Sequence, residues 1–483
     1  MNSLKKNFIY NMMYQILNLC IPFITVPILS RVLGPESTGI YSYTYSIVNY
    51  FMIFGMLGIS NYGNRRIAKC REDKEILSQT FFSIYYIQFW LNCIAIIVYI
   101  LYIHFFSQYK LIACIEIIYL ISNMLDISWL YFGIENFKKT VLRNIFIKII
   151  TLILIIIFIK KPEDIYLYTF IMAFGTALSQ MILWINIKKY VKYQPEYFKY
   201  NISKQHMKGI LILFIPVISY SVYKIMDKIM LGIWANMEEV GYYEYAEKII
   251  SIPLGIINAL GVVMLPKMSN LVEKKDFEVV KQYIYKALSF IMFVSIPCMI
   301  GIISISNEFV TIFLGNNYIR TGEITNYLVI TIIFTGWANV IRTQWLIPKE
   351  KDNIYIYTTI IGAMLNFILN FILIKYIGAV GAAVGTIVSE FFIMFSQTFI
   401  VRRDFEFSNN IKEIIWFLFS GFIMYICIKF VKNFVYDNWI RILVAVILGV
   451  IIYSLLNYKY IIKLIDTKLK KVKLGENKWK KSY

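Results

Sequence analysis

Six ionisable residues crowd into two consecutive apolar stretches of the chain. Lys224, Asp227 and Lys228 stand in the first, and Glu244, Glu247 and Lys248 in the second. Spacings of three and four place each trio on one helix face. The stretches are joined through the short turn Ala235–Glu238. At 1.5 Å per residue, Lys224 and Lys248 both fall about 13 Å from that turn, and Lys228 and Glu244 about 8 Å. The two faces can therefore meet at matched depth. An ionisable side chain in hydrocarbon costs about 3 kcal/mol or more, and two arrangements answer that cost. Three acids and three bases can neutralise one another, with Glu244 and Lys248 as a favoured i,i+4 pair. Alternatively the faces wall a water-filled cavity, where a cation holds an anionic headgroup and a carboxylate takes up H⁺ or Na⁺.

Other residues offer less. Arg31 ends the first apolar stretch, where it either snorkels or points toward the hairpin. Lys148 and Arg342 lie a turn or two inside the ends of theirs. Glu390 sits near the middle of its stretch with no cation one turn away, a third ion-coupling carboxylate beside Asp227 and Glu244. Tyr41, Tyr43, Tyr45 and Tyr50 can stack on sugars or simply serve a helix surface. Glu116 and Asp126 stand near opposite ends of one stretch. No GxxxxGK[ST] phosphate loop, GxSxG elbow or HExxH helix occurs, and the six cysteines and two histidines lack zinc-site spacing. The expectation is a protein that is not an enzyme and has no cofactor beyond coupled H⁺ or Na⁺.

The elements that position these residues follow from composition. The 483 residues are 59% hydrophobic and 16% charged, too few polar residues to coat soluble domains of that length. Crossing about 30 Å of hydrocarbon takes about 20 apolar residues. That rule gives about fourteen transmembrane helices, at roughly 8–30, 37–60, 79–104, 110–132, 142–160, 165–187, 209–233, 239–265, 284–305, 324–346, 352–376, 378–400, 412–430 and 437–456. Alternating polar and apolar residues, as in barrel strands, are absent from runs such as Leu152–Ile159. Lys5 and Lys6 precede the first span, which lacks a signal-peptide cleavage pattern and is read as retained.

Loop charge sets orientation. With the N-terminus inside, inner segments and their flanks hold 34 of the 49 Lys and Arg, and outer ones hold 9. Both termini are then cytoplasmic. The net charge of +20 is read as attraction to anionic membrane lipids, with no nucleic acid as partner. Trp184, Trp234, Trp345, Trp416 and Trp439 fall near span ends, as an interfacial belt requires. Polar inner loops at Lys188–Lys208 and Pro266–Gln282 break up the chain. The expected domains are a six-helix bundle at 1–187, a cytoplasmic linker at 188–208, a second six-helix bundle at 209–400, two further helices at 401–456 and a basic tail at 457–483 with nine lysines.

An internal repeat links the two bundles. Gly39-Ile40-Tyr41-Ser42-Tyr43 recurs as Gly241-Tyr242-Tyr243-Glu244-Tyr245 at an offset of 202, with Glu36 matching Glu238. The offset spans six helices, so the copies run parallel, related by an axis along the membrane normal. The expected fold is an all-α polytopic membrane protein: two parallel six-helix bundles plus two C-terminal helices. At the repeat-equivalent positions of Lys228 and Glu244 the first half has Val26 and Ser42, so any anion contact is asymmetric.

The first seventy residues carry a further pattern: Ile21-Pro22-Phe23, Pro27-Ile28-Leu29-Ser30-Arg31-Val32-Leu33-Gly34-Pro35-Glu36, Gly39-Ile40-Tyr41, then Gly58 and Asn61-Tyr62-Gly63. This resembles the Wzx-type polysaccharide repeat-unit flippases of the MOP (multidrug/oligosaccharidyl-lipid/polysaccharide) exporter superfamily. The resemblance implies two bundles around a central cavity. It also implies movement of undecaprenyl-diphosphate-linked oligosaccharide across the bacterial cytoplasmic membrane, for capsule, O-antigen or other surface polysaccharide. On that reading Lys224, Lys228, Lys248 and Arg31 would hold the diphosphate, and Arg342 would guide the headgroup from the cytoplasm. Tyr41 and Tyr43 would meet sugars, and Asp227, Glu244 and Glu390 would couple ions. A polysaccharide polymerase and glycosyltransferases would be partners. Rivals are an exporter of lipid II or cationic drugs, and a membrane polymerase or glycosyltransferase. The short outer loop Ser306–Glu323 leaves little room for the active residues of such an enzyme.

Overall fold

In hydrocarbon every backbone N–H and C=O must be satisfied within the protein, which leaves helices as the form open to these apolar runs. The computed structural model describes residues 2–464, side chains excepted at 2–20, 137, 200, 201, 216, 219, 220, 222–224 and 409. The expected basic tail therefore lies outside the described residues from 465 on. Among the described residues there is no strand. The helices of the first half are α1 (Asn2–Met56), α2 (Ile59–Cys70), α3 (Lys74–Phe105), α4 (Lys110–Met124), α5 (Ser128–Gly133), α6 (Phe137–Phe158) and α7 (Ile165–Trp184). Then follow α8 (Tyr200–Trp234), α9 (Met237–Glu273), α10 (Phe277–Phe313), α11 (Ile319–Leu328), α12 (Thr331–Ile341), α13 (Asp352–Ile377) and α14 (Ala379–Val401). The chain continues with α15 (Ser408–Lys432) and α16 (Asn438–Leu456).

Among the described residues ten helices are long and apolar enough to cross a membrane, and α11 with α12, bent by 43°, makes an eleventh if the bent pair is one span. The long helices α1 and α8 lie outside that set. The first two expected spans meet inside α1 at Gly34, whose φ of 74° and ψ of 174° break the helix. That φ suits glycine, and Pro35 then occupies the first turn of the next rod, where a missing N–H costs nothing. Fourteen spans are compatible with these bounds.

Three boundaries differ from the sequence reading. The helices α9 and α10 each run 37 residues, about 55 Å at 1.5 Å per residue. They outreach the hydrocarbon, so the polar loop expected at Pro266–Gln282 is mostly helix around a tight turn at Lys275, φ 58°. Polarity marks where a helix leaves the membrane, not where it stops. The fourth span breaks after Met124. Gln88 Nε2 donates to the carbonyls of Asn123, Met124 and Asp126 at 3.1, 3.2 and 2.8 Å, and Asp126 Oδ1 accepts from the Ser128 N–H at 2.8 Å. Side chains thus satisfy the groups the break exposes. Finally, a π-helical turn, Arg342–Leu346, follows α12. It carries Trp345 into the core, 1% exposed, against Phe405, which removes it from the interfacial belt.

The chain forms two compact units, divided within α9, α10, α11, α13 and α14. The first comprises residues up to Ala246 with Phe313–Thr321 and Thr359–Ser389; the second comprises Glu247–Ile312, Gly322–Thr358 and the residues from Glu390 on. In the first, Trp129 stacks on Phe81 and donates to Gln88 Oε1 at 3.0 Å, while Gly63 lies flat against its indole. Tyr131 donates to the Leu183 carbonyl at 2.6 Å. These contacts tie α2, α3, α5 and α7 together. In the second unit α15 and α16 pack along α10. Asn410 donates to Ser289 at 2.9 Å near one end, and Lys432 meets Glu308 at 2.6 Å near the other. Between them lies an apolar cavity of about 440 Å³ lined by Pro297, Cys298, Gly301, Met424, Gly449 and Tyr453.

The repeat has a physical signature inside the first unit. A Cβ on Gly39 would run into the Met237 carbonyl, and one on Gly241 into the Pro35 carbonyl. Pro35 and Met237 are related by the same offset as Gly39 and Gly241. Reciprocal contacts of this kind mark an approximate two-fold axis. Ser42 and Glu244, also equivalents, meet on it: Ser42 Oγ donates to Glu244 Oε2 at 2.6 Å.

Candidate functional site

The hairpin of α8 and α9 turns at Ala235–Asn236 and brings two polar groupings into the first unit. Lys228 Nζ lies 2.7 Å from Glu244 Oε2, with side chains 17% and 15% exposed. The same oxygen takes the Ser42 hydroxyl, so a cation of α8, an acid of α9 and a hydroxyl of α1 converge. Glu244 thus meets its cation across the hairpin, at the matched depth that helix rise requires.

One residue earlier, Asp227 points into a drier place. It is 4% exposed. Its Oδ1 accepts from Asn370 Nδ2 at 2.6 Å, and its Oδ2 from Tyr243 OH at 2.6 Å and Thr386 Oγ1 at 2.9 Å. Asn366 is also fully buried, its Oδ1 3.2 Å from Asn370 Nδ2. The Asn370 Oδ1 is buried without a hydrogen-bond partner. Carboxylate, amide and hydroxyl oxygens gathered in a low-dielectric bundle can take up a proton or a small hard cation. Among the described residues no cluster of three His, Cys, Asp or Glu could hold a metal ion.

The remaining sequence candidates are dispersed. The Lys224 side chain lies outside the described residues. Lys248 is half-buried, at the start of the second unit's part of α9. Arg31 is exposed, its stem beside Gly315. Arg342 is half-buried on the π turn of the second unit, 5.1 Å from the Tyr355 ring. Glu390, 6% exposed, lies in the second unit. Tyr41 is packed among tyrosines, 4.8 Å from the Tyr168 ring and hydrogen-bonded to Tyr119 at 2.9 Å. Tyr43 is half-buried, with Gly232 against its ring.

Sequence reasoning missed the partners of Asp227. Asn366 and Asn370, four apart in the apolar run of α13, were the available signal. It also missed Glu239, which accepts from the Arg320 guanidinium and from the Ala379 N–H at 2.6 Å, holding the first turn of α14.

A helical membrane bundle with two repeats and ionisable groups held where the repeats cross has the architecture of a membrane transporter. The chain belongs to the polysaccharide biosynthesis protein family, whose model matches residues 4–272, and the model of the lipid II flippase MurJ family matches residues 140–448. A Shigella dysenteriae protein named as a candidate O-antigen transporter is 24% identical over 396 residues, covering 81% of this chain and 98% of its own. Among solved structures, the lipid II flippase MurJ in an inward closed conformation superposes with a TM-score of 0.75 at 19% identity, covering 95% of this chain and 99% of its own. An inward-facing multidrug transporter of the MOP superfamily gives a TM-score of 0.61 at 14% identity, covering 81% and 94%. The flippase resemblance seen in the first seventy residues therefore extends along the chain.

Proposed function

We propose that this protein flips undecaprenyl-diphosphate-linked oligosaccharide repeat units across the bacterial cytoplasmic membrane for surface polysaccharide synthesis, by ion-coupled alternating access. Both termini face the cytoplasm, as the loop charges require. Family membership supports the substrate class. The observation that carries the chemistry is the Lys228–Glu244–Ser42 junction on the repeat axis.

An ammonium already paired with a carboxylate can change partners at little cost. A diphosphate reaching Lys228 replaces Glu244 as counter-ion, and Glu244 then accepts a proton. Once neutral, Glu244 no longer holds Lys228, and its bond to Ser42 is weakened from charge-assisted to ordinary. The junction can then open. Lys224 and Arg31 are further cations for the headgroup in the first unit, Lys248 and Arg342 are candidates in the second, and the sugars pass Tyr41 and Tyr43. Asp227 is the principal site for the coupled H⁺ or Na⁺, with Glu390 as a second candidate. Anionic lipids hold the basic segments, and a polymerase and glycosyltransferases act on either side of the flip.

The test is Lys228→Gln. A charge-assisted hydrogen bond contributes about 1.5–3 kcal/mol, so glycan export should fall at least about tenfold while membrane insertion stays normal. Export at the wild-type rate would remove Lys228 from the substrate path.

A further inference from the structure

We infer that Glu116 is a second proton-binding carboxylate, built into the first half of the repeat as Asp227 is built into the second. Glu116 lies in α4, about 9 Å from Lys110 at 1.5 Å per residue. It is fully buried, at 0% exposure. Its Oε1 lies 2.9 Å from Thr44 Oγ1 and its Oε2 3.2 Å from Tyr99 OH. No cation pairs with it among the described residues. In this it differs from Glu244 with Lys228, Glu239 with Arg320 and Glu308 with Lys432.

The groups near it are hydroxyls: Thr44 and Tyr45 from α1, Tyr99 and Tyr102 from α3, and Tyr119 from α4 itself, with Tyr41 of α1 and Tyr168 of α7 beyond Tyr119. Tyr41 stacks on Tyr45 and shares a hydrogen bond with Tyr119, and Tyr45 lies edge-on to Tyr119. Lys228 and Glu244, like Glu116 itself, lie within electrostatic reach of Tyr45.

A buried carboxylate with hydroxyl partners alone is costly when ionised, and the hydrogen-bond inventory allows a second state at the same heavy-atom positions. Thr44 Oγ1 has one proton and three acceptors within reach: Glu116 Oε1, the Ile40 carbonyl at 3.0 Å and the Tyr41 carbonyl at 3.2 Å. With the acid protonated, Glu116 donates to Thr44 and Thr44 donates to Ile40. With the acid ionised, Thr44 turns its proton to the carboxylate. Both states use each hydroxyl once. The step is addition of H⁺ to a carboxylate oxygen and its release, with no other bond made or broken. Unlike the Asp227 site, no side-chain amide oxygen contributes among the described residues, and the hydroxyl partners suit H⁺ rather than a metal cation. Thr44 stands two residues from Ser42 on the same rod, so α1 carries the proton site on one side and the Ser42–Glu244 contact on the other. The coupling role rests on the proposed flippase activity; the proton site itself does not.

Infrared spectra of the purified full chain in lipid nanodiscs test the site, because a protonated carboxyl has its own C=O stretch. The wild type should show an acid band that disappears on going from mildly acid to alkaline pH. That band should be missing in Glu116→Gln and shifted in frequency in Glu116→Asp. A wild-type-minus-E116Q difference with no acid band at any pH, or with a band that never titrates, overturns the proposal. In cells, E116Q at normal membrane levels should flatten the pH dependence of glycan export; an unchanged profile removes the coupling role. Wild-type cells exporting no glycan would count against the flippase reading and leave the infrared result standing.

Discussion

Asp227 and Lys228 are neighbours in sequence, yet α8 turns them to different tasks. Lys228 meets a carboxylate in a part-exposed place, whereas Asp227 is sealed among Tyr243, Asn370 and Thr386. If Asp227 holds the coupled ion, Asp227→Asn should abolish the dependence of export on that ion's gradient. Thr386→Val, which removes one oxygen and leaves the charge, should weaken apparent ion affinity about tenfold, the equivalent of one hydrogen bond of about 1.4 kcal/mol. The maximal rate should be kept. Ion titrations of transport in proteoliposomes separate these outcomes, and a T386V protein with wild-type ion affinity would take Thr386 out of the site. The charged residues of this region were legible because charge in an apolar run demands explanation. Their neutral partners were not: a buried Asn or Thr resembles any polar residue on a helix until the helices that face it are known.

Elements are held by small polar clusters between their ends as much as by apolar packing. His206 near the start of α8 is 2% exposed, with Nδ1 2.8 Å from Tyr62 OH on α2 and Nε2 2.9 Å from Ser83 Oγ on α3. Ser83 also lies 3.1 Å from the Thr80 carbonyl. Ser83 therefore donates there and accepts from Nε2–H, while Tyr62 donates to Nδ1, a tautomer assigned from the network. Burial, then the nearby Arg66 charge, pushes the imidazole down to about 4. Its folded value lies below the unfolded value of about 6.5, so the unfolded chain binds the extra proton between the two. The contribution to stability is complete above about pH 6.5 and is lost as pH falls toward 4. Thermal unfolding followed from neutral to acid pH should show that loss in the wild type. It should be absent in His206→Asn, and identical slopes would refute the assignment. Hydropathy located the spans, but it carried no information on such pins. Nor did it show that α9 and α10 continue as helix past the membrane, since lysines in a helix that has left the lipid read like a loop.

At the scale of the molecule the repeat makes a demand of its own. Gly39 and Gly241 are equivalents, and each lets its own rod cross against the backbone of the other. A side chain at either position blocks the same crossing, so Gly39→Val and Gly241→Val should behave alike despite lying about two hundred residues apart. Forcing a branched side chain into packed backbone costs about 1–3 kcal/mol, enough to shift the crossing's population by about fivefold to a hundredfold. Combining the two should add little, because one crossing cannot be lost twice. A cysteine at Ser42, buried beneath the crossing, reports the shift: a membrane-impermeant maleimide added from outside should label Ser42→Cys slowly, and much faster when either valine is present. Equal gains from the two single variants, with no further gain from the pair, would show the crossing to be a shared gate between the halves. Unequal gains, or none, would reduce it to local packing and leave the junction of Lys228, Glu244 and Ser42 as the charged link across the axis on which the proposed transport acts.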